Sequence, residues 1–102
     1  MKEQRGHPRV VIDVSVTCRR TDGASFEGRG KDLSLGGMFV ETTESQPFNT
    51  QLTIEMELEG AKGRITVPAV VRWSKSNGFG VQFGLLGARE THLIASLLRH
   101  RT

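Results

Sequence analysis

Leu52, Ile54, Met56 and Leu58 alternate with Thr53, Glu55, Glu57 and Glu59. A period of two is that of a strand with one face in a core and the other in water. The same period runs through Val10, Ile12, Val14, Val16 and Cys18, and again through Ile65, Val67, Ala69, Val71 and Trp73. Turn chemistry interrupts these runs at Thr21-Asp22-Gly23-Ala24, at Gly60-Ala61-Lys62-Gly63 and at Ser76-Asn77-Gly78. No such strand can bury its apolar face alone, so the strands must cover one another. Three further strands complete the pattern: Ser25 to Leu33, Met38 to Glu41, and Phe79 to Phe83. Gly28 and Gly30 predict a bulge or strong curvature in the second strand, and Pro68 predicts an edge or a bulge in the long fifth.

The period changes after Gly87. Leu93, Ile94, Leu97 and Leu98 follow helical spacing, and Arg99, His100 and Arg101 fall in the last turn, where the helix dipole favours cations. The expected fold is therefore all-β, a six-stranded antiparallel barrel or closed sandwich with a C-terminal α-helix. The 102 residues read as a single domain, with an arm over 1–9, the barrel over 10–85 and the helix over 87–101. That length buries a core without disulfides or a structural metal.

Composition narrows the setting. Cys18 is the only cysteine and has no partner for an internal disulfide, which favours a reducing compartment. No run approaches the ~18 apolar residues of a membrane span, and Met1 to Arg5 has no apolar signal core. A cytoplasmic location is expected. The net charge of +3 suits an anionic partner, although the basic clusters at Arg19–Lys31 and Arg99–Arg101 read equally as solvated surface.

Catalysis finds little support. His7, His92 and His100 are not at metal spacing with one another or with Cys18. Ser34 lacks a nucleophile-elbow context, and Glu55, Glu57 and Glu59 simply share a wet strand face. No enzymatic role, cofactor or metal is expected. A nucleic-acid-binding barrel would stack bases on exposed aromatics, but most of the Phe and Trp side chains fall on apolar faces. Phe39 and Phe48 are the exceptions.

Recognition chemistry concentrates in two places. Arg5 and Arg9 lie four apart in the N-terminal arm, and Asp32-Leu33-Ser34-Leu35-Gly36-Gly37 is a polar turn between strands. Taken separately, the first is a solvated basic tail and the second is ordinary turn chemistry. Taken together they offer guanidinium forks, a carboxylate, a hydroxyl and a flexible backbone. Such a set suits a ligand with both phosphates and a hydrogen-bonding base edge.

The joint pattern resembles the PilZ family, bacterial domains that bind the second messenger cyclic di-GMP. Arg5-Gly6-His7-Pro8-Arg9 matches the family's R-x-x-x-R, and Asp32 to Gly37 matches D/N-x-S-x-x-G. Val71-Arg72-Trp73 and Asn77 to Phe83 look like the family's last two strands. The resemblance covers the whole chain, and both motifs are complete. It implies a six-stranded antiparallel barrel with a C-terminal helix, and a receptor or adaptor.

The resemblance also implies residue roles. Arg5 and Arg9 would serve phosphate and guanine, with Asp32 on the guanine N1–H and amine. Ser34 would donate to phosphate or base, and Gly36 and Gly37 would bring the backbone close with exposed N–H groups. Gln4, just before the arginines, is expected to bear on whether one ligand or a stacked pair binds. Trp73 has two readings, a guanine flank and barrel core. The arm is expected to order when the messenger arrives, altering contact with an unknown protein partner, in a monomer or homodimer. Two other readings stand beside this one: a protein-interaction scaffold with weak or no messenger binding, and a small nucleic-acid-binding barrel.

Overall fold

The computed structural model describes residues 9–44, 46–58 and 64–101, apart from the side chains of residues 100 and 101. Six strands, β1 (Val14–Arg20), β2 (Ser25–Lys31), β3 (Gly37–Glu41), β4 (Gln51–Met56), β5 (Ile65–Lys75) and β6 (Gly78–Phe83), are followed by one helix, α1 (Ala88–Arg101). The strands form a closed barrel in the order β1-β2-β3-β6-β5-β4, every pairing antiparallel. The expected barrel is found, and β4 closes it by pairing with β1.

The alternating apolar residues face inward. Cys18 pairs with Ile54, and Ile54 with Val67, and all three are fully buried. Phe79 is the largest fully buried side chain and meets Phe26 edge-on, with ring centroids 6.0 Å apart. Helix α1 adds Ile94, Leu97 and Leu98 to the same cluster. Among the described residues, no helix is long and apolar enough to cross a membrane.

Three expectations need correction. First, Val10 and Ile12 are buried but precede β1, which begins at Val14. Val10 instead bridges Leu33 through two backbone hydrogen bonds of 2.9 Å. Strand β2 stops at Lys31 because Asp32 adopts a left-handed φ of 52°, which frees Leu33 to meet the lead-in segment.

Second, of the two alternatives for Gly28 and Gly30, the bulge is absent. The β1–β2 register runs evenly from Val14↔Gly30 to Arg19↔Ser25. A Cβ at Gly30 would lie 2.6 Å from Met38 Cε, and one at Gly28 2.7 Å from Val40 Cγ1. The two glycines leave interior room for the side chains of β3.

Third, Pro68 is neither at an edge nor at the bulge. It pairs with Thr53 on the exposed face of β5, and its carbonyl accepts the Gly84 N–H at 2.8 Å. The register shift in β5 falls between Val71 and Trp73. The hairpin expected over Gly60–Gly63 lies outside the described residues.

Two outcomes follow for the core. Phe79→Ala is expected to cost about 3–5 kcal/mol, whereas Phe48→Ala, on a side chain 64% exposed, stays within about 0.5 kcal/mol; denaturant midpoints check both. Burial, reinforced by Glu27, raises the Cys18 thiol from its ordinary 9.0 to about 12. The unfolded thiol ionises first as pH rises, so this contribution to stability is whole below about pH 9 and is lost toward pH 12. Cys18 is accordingly expected to resist an aromatic disulfide reagent at pH 8 in native protein and to react rapidly in denaturant; rapid native labelling would contradict its placement.

Candidate functional site

The Val10–Leu33 bridge settles where the arm meets the barrel. It places Arg9 beside the Asp32–Gly37 turn, and Arg9 Nη2 donates to the Asp32 carbonyl at 3.3 Å. Two pieces of sequence 23 residues apart are thereby brought together. Arg5 and Gln4 lie outside the described residues.

The turn is largely self-satisfied. Ser34 N–H donates to the Gly37 carbonyl at 2.9 Å. Ser34 Oγ accepts the N–H groups of Gly36 and Gly37 at 3.1 and 3.2 Å and donates to the Gly37 carbonyl at 3.4 Å. The Gly36 carbonyl accepts the Phe83 N–H at 2.8 Å, which ties the turn to β6. Side chains of this type habitually bond backbone groups two or three residues on. The N–H groups expected to face a ligand are therefore engaged by Ser34, which is itself only 3% exposed.

Gly37 has a separate duty. A Cβ there would overlap the Val81 carbonyl oxygen, so β3 can approach β6 only with glycine at this position. Asp32 is exposed and uses its carbonyl, not its carboxylate, to hold Arg9. Asp tolerates the left-handed region better than most residues.

Next to the turn opens a cleft of about 400 Å³. Arg9, Ser34, Gly36 and Gly37 line one part of it, and Met38 and Val81 supply apolar lining. Arg72, Trp73 and Gln82 complete it. Asp32 is not among the lining residues.

Trp73 is not barrel core. Its place in the alternation predicts an inward side chain, but the bulge after Val71 turns it outward, 42% exposed. The indole stacks on Phe39 with centroids 5.3 Å apart and planes 18° apart. Gly80 pairs with both residues, and a Cβ there would collide with the indole. Lys75 Nζ stands 5.6 Å from each ring centroid. Trp73 is thus a fixed aromatic wall. Of the two aromatics expected to escape the core, Phe48 is exposed, while Phe39 is covered by Trp73.

Arg72 and Gln82 went unnoticed in the sequence as cleft residues. Arg72 Nε donates to Gln82 Oε1 at 2.8 Å and Nη1 to Asn49 Oδ1 at 3.0 Å. Successive strand residues normally face opposite ways. Only the bulge puts Arg72 and Trp73 on one cleft, and alternation carries no sign of a bulge. A basic residue next to an aromatic, Arg72-Trp73, was the one available signal.

Two guanidinium groups, an indole and an apolar lining suit a ligand that is anionic in one part and flat and aromatic in another. Among the described residues, no group of three or more His, Cys, Asp or Glu side chains could hold a metal ion.

Known proteins agree with this fold. The catalytic subunit of UDP-forming cellulose synthase from Xanthomonas axonopodis pv. citri (strain 306) is 31% identical over 96 residues. Those residues make up 93% of this chain and 13% of that protein, so the chain spans only a small part of this relative. Among solved structures, the PilZ domain of CeSA from a cellulose-synthesizing bacterium superposes with a TM-score of 0.73 at 19% identity, covering 91% of this chain and 96% of that one. The PilZ domain of YcgR from Escherichia coli, solved with c-di-GMP, gives 0.75 at 16% identity, covering 97% and 92%. The MrkH–c-di-GMP complex from K. pneumonia gives 0.75 at 19% identity, covering 98% and 52%. The family model described as PilZ domain matches residues 3–99, and the chain belongs to that family.

Proposed function

We propose that this chain is a cyclic di-GMP receptor that acts by binding rather than by catalysis. The observation that carries this reading is the Val10–Leu33 bridge, which sets Arg9 against the Asp32–Gly37 turn at the mouth of a cleft. The presence of c-di-GMP in the YcgR and MrkH structures supports it.

Arg9 contributes charge and a planar fork, which can meet a phosphate or the O6/N7 edge of guanine. Arg5, four residues earlier, is assigned the same role. The Asp32 carboxylate, exposed and not used in holding Arg9, accepts the guanine N1–H and amine. Trp73 stacks against a base, with Phe39 and Gly80 holding its plane. Ser34, Gly36 and Gly37 shape the turn and present it to the ligand. Binding orders the arm, and ligand and arm together form the surface a protein partner reads.

Calorimetry with cyclic di-GMP, GTP and a short RNA tests the reading. Binding of cyclic di-GMP alone is expected. No heat from cyclic di-GMP at high micromolar concentration would leave the scaffold reading, and equal competition by generic RNA with steep salt dependence would favour a nucleic-acid barrel.

Arg9→Ala is expected to weaken messenger binding about ten- to a hundredfold, the value of a charge-assisted hydrogen bond. Asp32→Gly, which removes the carboxylate and takes the left-handed φ of 52° without steric cost, is expected to weaken binding likewise while the barrel still folds. Gly80→Val, which displaces the indole, is expected to reduce affinity and to shift Trp73 fluorescence; unchanged emission would count against a fixed wall.

A further inference from the structure

Two arginines line the cleft, and no described carboxylate neutralises either. Arg9 donates to a backbone carbonyl, and Arg72 to two side-chain amide oxygens. Elsewhere on the described barrel arginine is treated differently. Arg19 and Arg64 share Glu55, Arg20 pairs with Asp22, and Arg29 pairs with Asp13. A carboxylate partner cancels the charge it orients. An amide oxygen orients the guanidinium and leaves its charge in place.

The supports of Arg72 are themselves fixed. Asn49 adopts a left-handed φ of 73°. Its N–H donates to the Val71 carbonyl at 2.8 Å, and Val71 N–H returns a bond to the Thr50 carbonyl at 2.9 Å. These bonds hold Asn49 Oδ1 under Arg72 Nη1. Gln82, the second acceptor, pairs with Gly37 across β6 and β3. Nε and one Nη1 hydrogen of Arg72 are committed, which leaves Nη2 and the other Nη1 hydrogen for a ligand.

We propose that Arg72 is a further ligand-binding arginine of this cleft, holding a phosphate of cyclic di-GMP beside the base stacked on Trp73. The proposal rests on the receptor reading above. It supplies on β5 a cation already oriented by Gln82 and Asn49, so one phosphate meets a preformed donor. The bulge between Val71 and Trp73 makes this arrangement available, because it gives the indole and the neighbouring guanidinium one common cleft.

Calorimetry of the full chain with cyclic di-GMP at low and high salt, on wild type, Arg72→Gln and Arg72→Lys, tests it. Arg72→Gln is expected to bind about ten- to a hundredfold more weakly and with a shallower salt dependence, since one screened charge is gone. Arg72→Lys is expected to lose less and to keep the wild-type salt dependence, because a phosphate accepts a point charge. Thermal midpoints report that both variants fold. Wild-type affinity in Arg72→Gln overturns the proposal and leaves the receptor reading standing. Equal losses in Arg72→Gln and Arg72→Lys also overturn it, because a guanine edge needs the planar fork. Absence of wild-type binding overturns both.

Discussion

Closure of the barrel by β4 on β1 is the constraint on which the rest depends. A sheet of these six strands left open would expose two unpaired edges and one apolar face. Closed, it has no edge, and its inner face becomes a core to which α1 adds Ile94, Leu97 and Leu98. Closure also dictates where side chains are forbidden. Gly28 and Gly30 leave space inside for β3, and Gly37 lets β3 reach β6. The cleft lies at that same β3–β6 contact, so the packing that closes the barrel also shapes the site.

Most of the architecture was legible in the sequence because burial writes a period of two into strands and 3.6 into helices. The six strands, the helix and the inward set Cys18, Ile54, Met56, Val67 and Val71 follow from that alone. Backbone irregularity was not legible. The left-handed Asp32 that ends β2, and the bulge that turns Trp73 outward, break the period without leaving a mark in it. Pro68 and the β2 glycines were plausible markers of irregularity, yet their neighbours are regular. Pro68 fits because it meets the chain at Gly84, just past the end of β6, with its carbonyl accepting and no N–H of its own to place, and the glycines fit because they answer a demand for volume.

The candidate site was half legible. Arg9 and the Asp32–Gly37 turn stand out as residue types, and the fold brings them into contact. Arg72, Gln82 and Asn49 did not stand out, because each is a common surface residue whose significance lies in being within reach of the others. Electrostatics separates the cleft from the remaining surface more clearly than composition does. On the described barrel, the arginines outside it are paired with carboxylates, and those inside it rest on carbonyl and amide oxygens.

The left-handed backbone at residue 32 bears on how this pattern is read in other chains. Asp, Asn and Gly are the residues that take such a φ at low cost, and Ser34 with Gly37 completes a turn the barrel needs whether or not a ligand is present. A chain that had abandoned its ligand would still be held by folding to much of the turn's spelling. Among the described residues, Arg9 makes one exposed side-chain bond, of 3.3 Å to a carbonyl. It is free to drift once no ligand requires it. If the proposed receptor reading holds, Arg9 is therefore the sharper diagnostic of binding, and the turn is chiefly a signature of the fold.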